Sequence, residues 1–310
     1  MSKRDFLSVD DLSSDELIAL LDGADRHKAE RRQRTTLGGR TVALIFEKPS
    51  TRTRVSFEVA VHELGGYPLP LGGGETQLGR GETIEDTAAV LSRYVHAIVL
   101  RTFSQENLER LARAGTVPVV NALSDYSHPC QALADLQTIR ERKGHLAGLR
   151  LAYLGDGNNV AHSLLFAGSK AGMHVTVATP SGYEPIPQVV RRSTEIAAGT
   201  GGSVELSNDP ATAAKGADIL YTDVWASMGQ EMEHGERALI FKPYQLSTDT
   251  LAAASPDVVV LHCLPAHRGE EIATEVMDGP NSAVFDQAEN RLHTQKALLA
   301  WLLTGSPDPR

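Results

Sequence analysis

The stretch TVALIFEKPSTRTRVSFEVAVHEL, residues 41–64, decides how the chain folds. Thr41–Phe46 is a short, near-continuous apolar run, the pattern of a strand buried on both faces. Pro49 blocks continuation of that strand. Ser50 and Thr51 are good capping residues, and a helix is predicted over 53–64. A buried strand that turns directly into a helix is the repeating unit of a parallel sheet, because parallel neighbours need a crossover between them.

The unit recurs on both sides of this stretch. Toward the N-terminus, 12–31 reads as a helix capped by Ser13 or Ser14, with Leu17, Ile18, Leu20, Leu21 and Ala24 as its apolar stripe. Toward the C-terminus, 96–100 and 117–121 are predicted strands, and 83–94, 105–114 and 130–143 are predicted helices. Gly144 and Gly148 then mark a turn, and the rhythm restarts with strands over 149–154, 175–178, 204–206, 218–222 and 258–261. A last amphipathic helix is predicted over 288–303, and its pattern alone does not say which domain it covers. The expected fold is α/β: two doubly wound parallel-sheet domains with a cleft between them, divided near residue 145. Two polar stretches interrupt the rhythm. Residues 72–81 hold five glycines in ten and read as a surface loop, and 226–237 read as a lid.

Composition narrows the function. With 30 Lys plus Arg against 39 Asp plus Glu, the net charge of −9 argues against general attraction to nucleic acid or anionic lipid. A small anionic ligand needs only local positive charge and stays possible. Cys130 and Cys263 are the only cysteines, too few for a disulfide framework, and they suggest a reducing cytoplasm. No run of 18 apolar residues exists, and the acidic N-terminal stretch reads as neither signal nor transit peptide. No repeat, low-complexity segment or long linker is visible.

Five places could carry chemistry, and each has a plain structural alternative. FEKPSTRTR (46–54) crowds hydroxyls and guanidiniums onto a helix start at a strand's carboxyl end, which suits an anion; the alternative is an ordinary cap with solvated arginines. SHPCQALAD (127–135) sets His128 and Gln131 one turn apart at a helix start, and Arg101 follows another strand; the alternative is a structural histidine before proline and a solvated arginine. GDGNNVAHS (155–163) tempts toward a dinucleotide, but Val160 stands where the last glycine belongs and no acid closes the next strand. Asn158 and Asn159 read better as polar groups facing the cleft. TDVWASMGQE (222–231) puts Asp223 at a strand end, where it could hold an ammonium or simply form a turn. LHCLPAHRGEE (261–271) ends a strand on His262 and Cys263; a zinc site lacks a spaced partner pair, and a thiol lining a substrate site fits better than a nucleophile.

Together, in this order, the motifs resemble the ornithine carbamoyltransferases among the transcarbamoylases. The family's phosphate motif stands as Ser50-Thr51-Arg52-Thr53-Arg54 and its His-Pro-x-Gln motif as His128-Pro129-Cys130-Gln131. Asp223 through Gly229 matches Asp-x-x-x-Ser-Met-Gly, and His262-Cys263-Leu264-Pro265 matches His-Cys-Leu-Pro; these two mark the ornithine branch. The likeness runs from Phe6 to Leu303, with a GDGNN turn one residue shorter than in close relatives.

The resemblance implies a carbamoyl phosphate-binding domain over 1–144, completed by the C-terminal helix within 288–310, and an L-ornithine-binding domain over 145–287. Carbamoyl phosphate would meet Ser50, Thr51, Arg52, Thr53, Arg101, His128, Gln131, Cys263, Leu264 and Arg291, with Gln77 arriving from a neighbouring subunit. Ornithine would meet Asn159, Asp223, Ser227 and Met228. Arg52, Arg101, His128, Asp223 and Cys263 would carry the catalytic roles. A homotrimer, cytoplasmic, is implied, with further assembly of trimers open, and no metal or organic cofactor. The expected activity is citrulline formation in arginine biosynthesis. Transfer to putrescine or N-acetylornithine, a nicotinamide dehydrogenase and a non-catalytic binding protein are the rival readings.

Overall fold

A computed structural model describes residues 3–72, 81–226 and 234–309. The chain divides into two compact units, Met1–Gln137 with Glu289–Arg310, and Thr138–Ala288. In the first, α1 (Ser14–Ala29) precedes β1 (Thr41–Phe46), α2 (Thr51–Glu63), β2 (Tyr67–Gly72), α3 (Ile84–Leu91), β3 (Ala97–Arg101), α4 (Gln105–Ala114), β4 (Val119–Leu123) and the start of α5 (Pro129–Lys143), whose residues from Thr138 onward belong to the second. Among the described residues the four strands form one parallel sheet in the order β2-β1-β3-β4. Ala43, Ile45, Ile98, Leu100 and Val119 meet Leu108 and Leu111 of α4 in a buried apolar cluster.

Strand β2 was not apparent from the sequence, and proline explains why. Its residues YPLPLG contain Pro68 and Pro70, which cannot donate to a ladder. The strand lies at the sheet's edge, and the prolines share one parity. The intervening residues supply the donors that face β1, beginning with the Tyr67 N–H, which donates to the Arg40 carbonyl at 2.8 Å. A proline-bearing strand can survive there and nowhere inside the sheet.

The second unit holds β5 (Arg150–Leu154), α6 (Asn159–Lys170), β6 (His174–Ala178), α7 (Pro187–Thr200), β7 (Ser203–Ser207), α8 (Pro210–Ala214), β8 (Ile219–Thr222), α9 (His234–Phe241), α10 (Thr248–Ala253), β9 (Val259–His262) and α11 (Thr274–Met277). Its five described strands are parallel in the order β7-β6-β5-β8-β9. Leu154, Leu220 and Val260 pack with Ile272, Val276 and Val284 as its apolar centre. Helix α12 (Val284–Thr304) starts four residues before its expected position. From Glu289 onward it belongs to the first unit, which answers the question the amphipathic pattern left open. The Lys296 ammonium there is fully buried and donates to Glu63 Oε2 at 2.9 Å.

One buried histidine gives the first unit a pH dependence. His27 of α1 is fully buried, and its Nε2 lies 3.1 Å from the Pro307 carbonyl, to which it donates. Burial, then the charges of Lys296 and Arg34, push its pKa down to about 4. An unfolded histidine takes its proton near 6.5, so between these values the unfolded chain binds more protons and stability falls as pH drops. The full loss is about 3 kcal/mol, at 1.36 kcal/mol per pH unit. Urea unfolding at pH 7, 5.5 and 4 should show this decline, and His27→Gln should flatten that part of it.

Candidate active site

In an open α/β sheet, ligands bind beyond the carboxyl ends of the strands where the winding reverses. The order of the first sheet reverses between β1 and β3, whose last residues, Phe46 and Arg101, are paired neighbours. The next strand, β4, leads to His128 at the start of α5. Three motifs that are far apart in the sequence thereby share one edge of one sheet.

Ser50 caps α2, its Oγ accepting from the Thr53 N–H at 3.3 Å. Thr53 is buried, and its Oγ1 accepts from Arg291 Nη2 at 3.0 Å. Both hydroxyls act as acceptors in these contacts, which leaves their own O–H groups to be aimed elsewhere. Arg291 Nη1 donates to Gln131 Oε1 at 2.7 Å, and Gln131 Nε2 donates to Asp135 Oδ1 at 2.8 Å. Helix α12 is thus joined to the starts of α2 and α5 by one buried guanidinium. The two arginines of the turn differ in kind: Arg54 Nε donates to Glu58 one turn along at 2.7 Å, a surface pair, whereas Arg52 is close enough to act on His128.

His128 is held well below the usual imidazole range, first by burial and then by the charges of Arg291, Arg101 and Arg52. It is therefore a neutral ring, able to donate a hydrogen bond without giving up a proton. Burial likewise pushes the Cys130 thiol up to about 12, against a smaller opposing effect of Arg291, so this cysteine is a core residue and no nucleophile. Three guanidiniums, a neutral imidazole and a helix N-terminus make a site for a compact anion.

The winding of the second sheet reverses between β5 and β8. Strand β5 leads into the GDGNN turn, β8 into Asp223 and β9 into Cys263, so three further motifs meet at one edge. The turn needs its glycines. Gly155 has φ +148, and a Cβ on Gly157 would come within 2.4–2.5 Å of the backbone around Glu184. Asp223 is buried and accepts from Cys263 Sγ at 2.8 Å, Asn158 Nδ2 at 2.9 Å and its neighbour's Val224 N–H at 2.8 Å. Asn158 caps α6 through Oδ1, accepting from the Val160 and Ala161 N–H groups. Asn159 is the first residue of α6 and is half-buried beside it. Gln77, Ser227 and Met228 lie outside the described residues.

Asp223, His262 and Cys263 each offer a ligand atom within 4.8 Å of the others. The imidazole of His262, however, already uses both nitrogens: Nδ1 accepts the Leu264 N–H at 2.9 Å and Nε2 faces Glu271 Oε1 at 3.2 Å. A metal would have to displace one of these. Leu264 itself has φ 60, a left-handed conformation costly for a leucine, followed by a cis bond to Pro265.

Arg237 had no sequence signal beyond its place in a polar stretch. It is buried in α9, bridges Asp156 and the Trp225 carbonyl, and has its guanidinium 4.9 Å from the Tyr183 ring centre and 5.0 Å from that of Phe241. It ties the GDGNN turn to Trp225, two residues before Ser227 in the sequence. Among the described residues no helix is long and apolar enough to cross a membrane.

Comparison with known proteins agrees with this layout. The family model for the aspartate/ornithine carbamoyltransferase carbamoyl-P binding domain matches residues 4–141, and that for the Asp/Orn binding domain matches residues 147–302. An ornithine carbamoyltransferase of Parafrankia sp. (strain EAN1pec) is 66% identical over 98% of this chain and 97% of its own. One from Acidothermus cellulolyticus is 64% identical over 97% of this chain and 96% of its own. The solved structure of ornithine carbamoyltransferase from Pyrococcus furiosus superposes with a TM-score of 0.95 at 54% identity, covering 98% of each chain.

Proposed function

Because the chain belongs to the aspartate/ornithine carbamoyltransferase family, we propose that it transfers the carbamoyl group of carbamoyl phosphate to the δ-amine of L-ornithine, giving L-citrulline and phosphate. The observation that carries this reading is the cluster of Arg52, Arg101, Arg291 and neutral His128 at the switch point of one sheet. The Asp223–Cys263 pair at the switch point of the other supports it.

Carbamoyl phosphate is a mixed anhydride carrying about two negative charges. Ser50, Thr51, Arg52 and Thr53, with the amides that open α2, neutralise its phosphate. Arg101, His128 and Thr53 donate to the carbonyl oxygen, where charge grows as the tetrahedral state forms. Gln131 and the Leu264 carbonyl hold the carbamoyl NH₂, and Arg291 sets Gln131 and Thr53. Asp223 and Cys263 orient the attacking amine. Asp223, Asn159, Ser227 and Met228 hold the amino-acid end of ornithine.

The amine must attack uncharged. A lysine-like pKa of about 10.4 makes deprotonation at pH 7 cost about 4.6 kcal/mol. Exclusion of water lowers that cost, and the departing phosphate accepts the proton released as the C–N bond forms. Turnover therefore rises with pH through neutrality, approaching tenfold per unit well below the amine's pKa. A flat profile from pH 6 to 9 with chemistry rate-limiting would contradict this.

The working protein is a cytoplasmic homotrimer acting in arginine biosynthesis, with Gln77 serving a neighbouring subunit's site. Sedimentation tests the assembly. A colorimetric citrulline assay of the purified protein, run in parallel with putrescine and N-acetylornithine as acceptors, tests the activity. Preference for either alternative acceptor would overturn the ornithine assignment.

A further inference from the structure

We propose that Glu271 is a positioning residue for the Cys263–Leu264 turn and acts on it through His262; the inference rests on reading that turn as part of the transfer site. His262 is the last residue of β9 and is buried. A backbone N–H can only donate, so Leu264 N–H, 2.9 Å from Nδ1, fixes Nδ1 as an acceptor. The ring's proton then sits on Nε2 and points at Glu271 Oε1, 3.2 Å away. Glu271 is fully buried, and the same Oε1 also accepts the His267 N–H. Its Oε2 lies 3.6 Å from His267 Nδ1.

One carboxylate therefore secures both ends of the segment from Leu264 to His267, directly at the far end and through the imidazole at the near end. The backbone of His262 is pinned as well, its N–H donating to Gln287 Oε1 at 3.0 Å. Gln287 Nε2 in turn donates to Tyr221 Oη at 3.1 Å on the adjacent strand. What remains adjustable is the peptide of Leu264, held at φ 60. The bond to Nδ1 keeps that residue left-handed, and the Glu271 carboxylate keeps Nδ1 unprotonated and the ring unrotated. The direction of the Leu264 carbonyl, and the approach of Cys263 Sγ to Asp223 at 2.8 Å, depend on this chain of contacts. A second ligand-orienting carboxylate behind a histidine is familiar at metal sites; here the group being oriented is a strained peptide.

Glu271→Ala should lower kcat/KM for ornithine about 10–100-fold, the usual cost of losing an orienting partner. Binding of inorganic phosphate, which uses the other unit, should not change. Glu271→Gln should stay within about threefold, because its amide oxygen can accept the same two N–H groups. Two readouts are independent of turnover. The ¹⁵N spectrum of His262 should show the Nε2–H tautomer in the parent and in Glu271→Gln. Alkylation of Cys263 by iodoacetamide should change at least fivefold in Glu271→Ala and hardly at all in Glu271→Gln.

Should Glu271→Ala fail to fold, His262→Asn serves instead, since an asparagine can still accept near the Nδ1 position but cannot reach Glu271; the same loss is expected. An Nδ1–H tautomer, full activity in Glu271→Ala, or equal impairment of both Glu271 variants with unchanged alkylation overturns the proposal. If the parent protein makes no citrulline, the functional reading fails, and the tautomer and alkylation results still decide whether the contact chain operates.

Discussion

Arg52→Gly is expected to lower kcat/KM for carbamoyl phosphate by about 10³-fold while leaving the fold intact. The two halves of this expectation come from different physics. Arg52 is exposed near the start of α2, and the packing of that helix rests on Thr53, Phe57, Ala60 and Val61. An exposed substitution of this kind shifts stability by about 0.5 kcal/mol, with up to about 1 kcal/mol more for glycine in a helix. In a domain of this size that moves the thermal midpoint by only a few degrees. The lost interaction with a doubly charged phosphate is another matter. Paired, charge-assisted hydrogen bonds to a phosphate are roughly twice as strong as neutral ones, and removing a single transition-state donor costs about 10²–10³ in rate. The positive charge acting on His128 also falls, which shifts its pKa back toward the ordinary value. Steady-state kinetics, thermal unfolding and phosphate affinity on the same preparation separate these effects. A rate within tenfold of the parent would remove Arg52 from the phosphate clamp.

The residues that announced themselves in the sequence did so through local order. Buried parallel strands read as continuous apolar runs, and β1 was legible to the residue, as was α4. Motif residues such as Asp223 and Cys263 follow strands directly, and Ser50–Thr53 and His128 lie in the short connections after β1 and β4, so a strand-end rule finds them. Three kinds of feature escaped. Strand β2 did so because an edge position tolerates the prolines that argue against a strand elsewhere. Ends of helices moved by a few residues, as in α1, where Ser13 rather than Ser14 caps and Glu16 closes the box. The supporting contacts were the most hidden. Arg237 reaches Asp156 across 81 positions, and Glu271 reaches back to His262 across nine. In sequence, both look like solvated charges in polar loops, because burial and partner are properties of the folded chain. The cap role of Asn158 lies between these cases. A polar residue before an apolar helix suggests a cap, but nothing local says that its amide nitrogen also serves Asp223.

That double duty of Asn158 makes Asp223→Asn the more informative substitution on the other sheet, with an expected loss of about 10³-fold in kcat/KM for ornithine. The carboxylate accepts on both oxygens: Oδ1 takes Val224 N–H and Cys263 Sγ–H, and Oδ2 takes Asn158 Nδ2. An asparagine in its place can keep only one acceptor. If its oxygen stays with Val224, its NH₂ faces the NH₂ of Asn158, a donor against a donor. Rotating Asn158 would cure that conflict but withdraw the oxygen that caps α6, at about 1 kcal/mol. If the new amide rotates instead, Cys263 loses its acceptor and confronts a donor. Either way, the negative charge proposed to hold the amine of ornithine is gone, and one neighbour is displaced. The predicted signature is a large rise in ornithine KM with a fall in kcat, phosphate binding unchanged, and a stability loss of about 1–3 kcal/mol from the mismatched buried amides. Adding Asn158→Asp restores an acceptor opposite the new amide and keeps the α6 cap. The double variant should therefore regain the lost stability without regaining turnover, because the acid then sits on the wrong side of the contact. Recovery of both together would mean that Asp223 serves only to hold Asn158 and not to orient the amine.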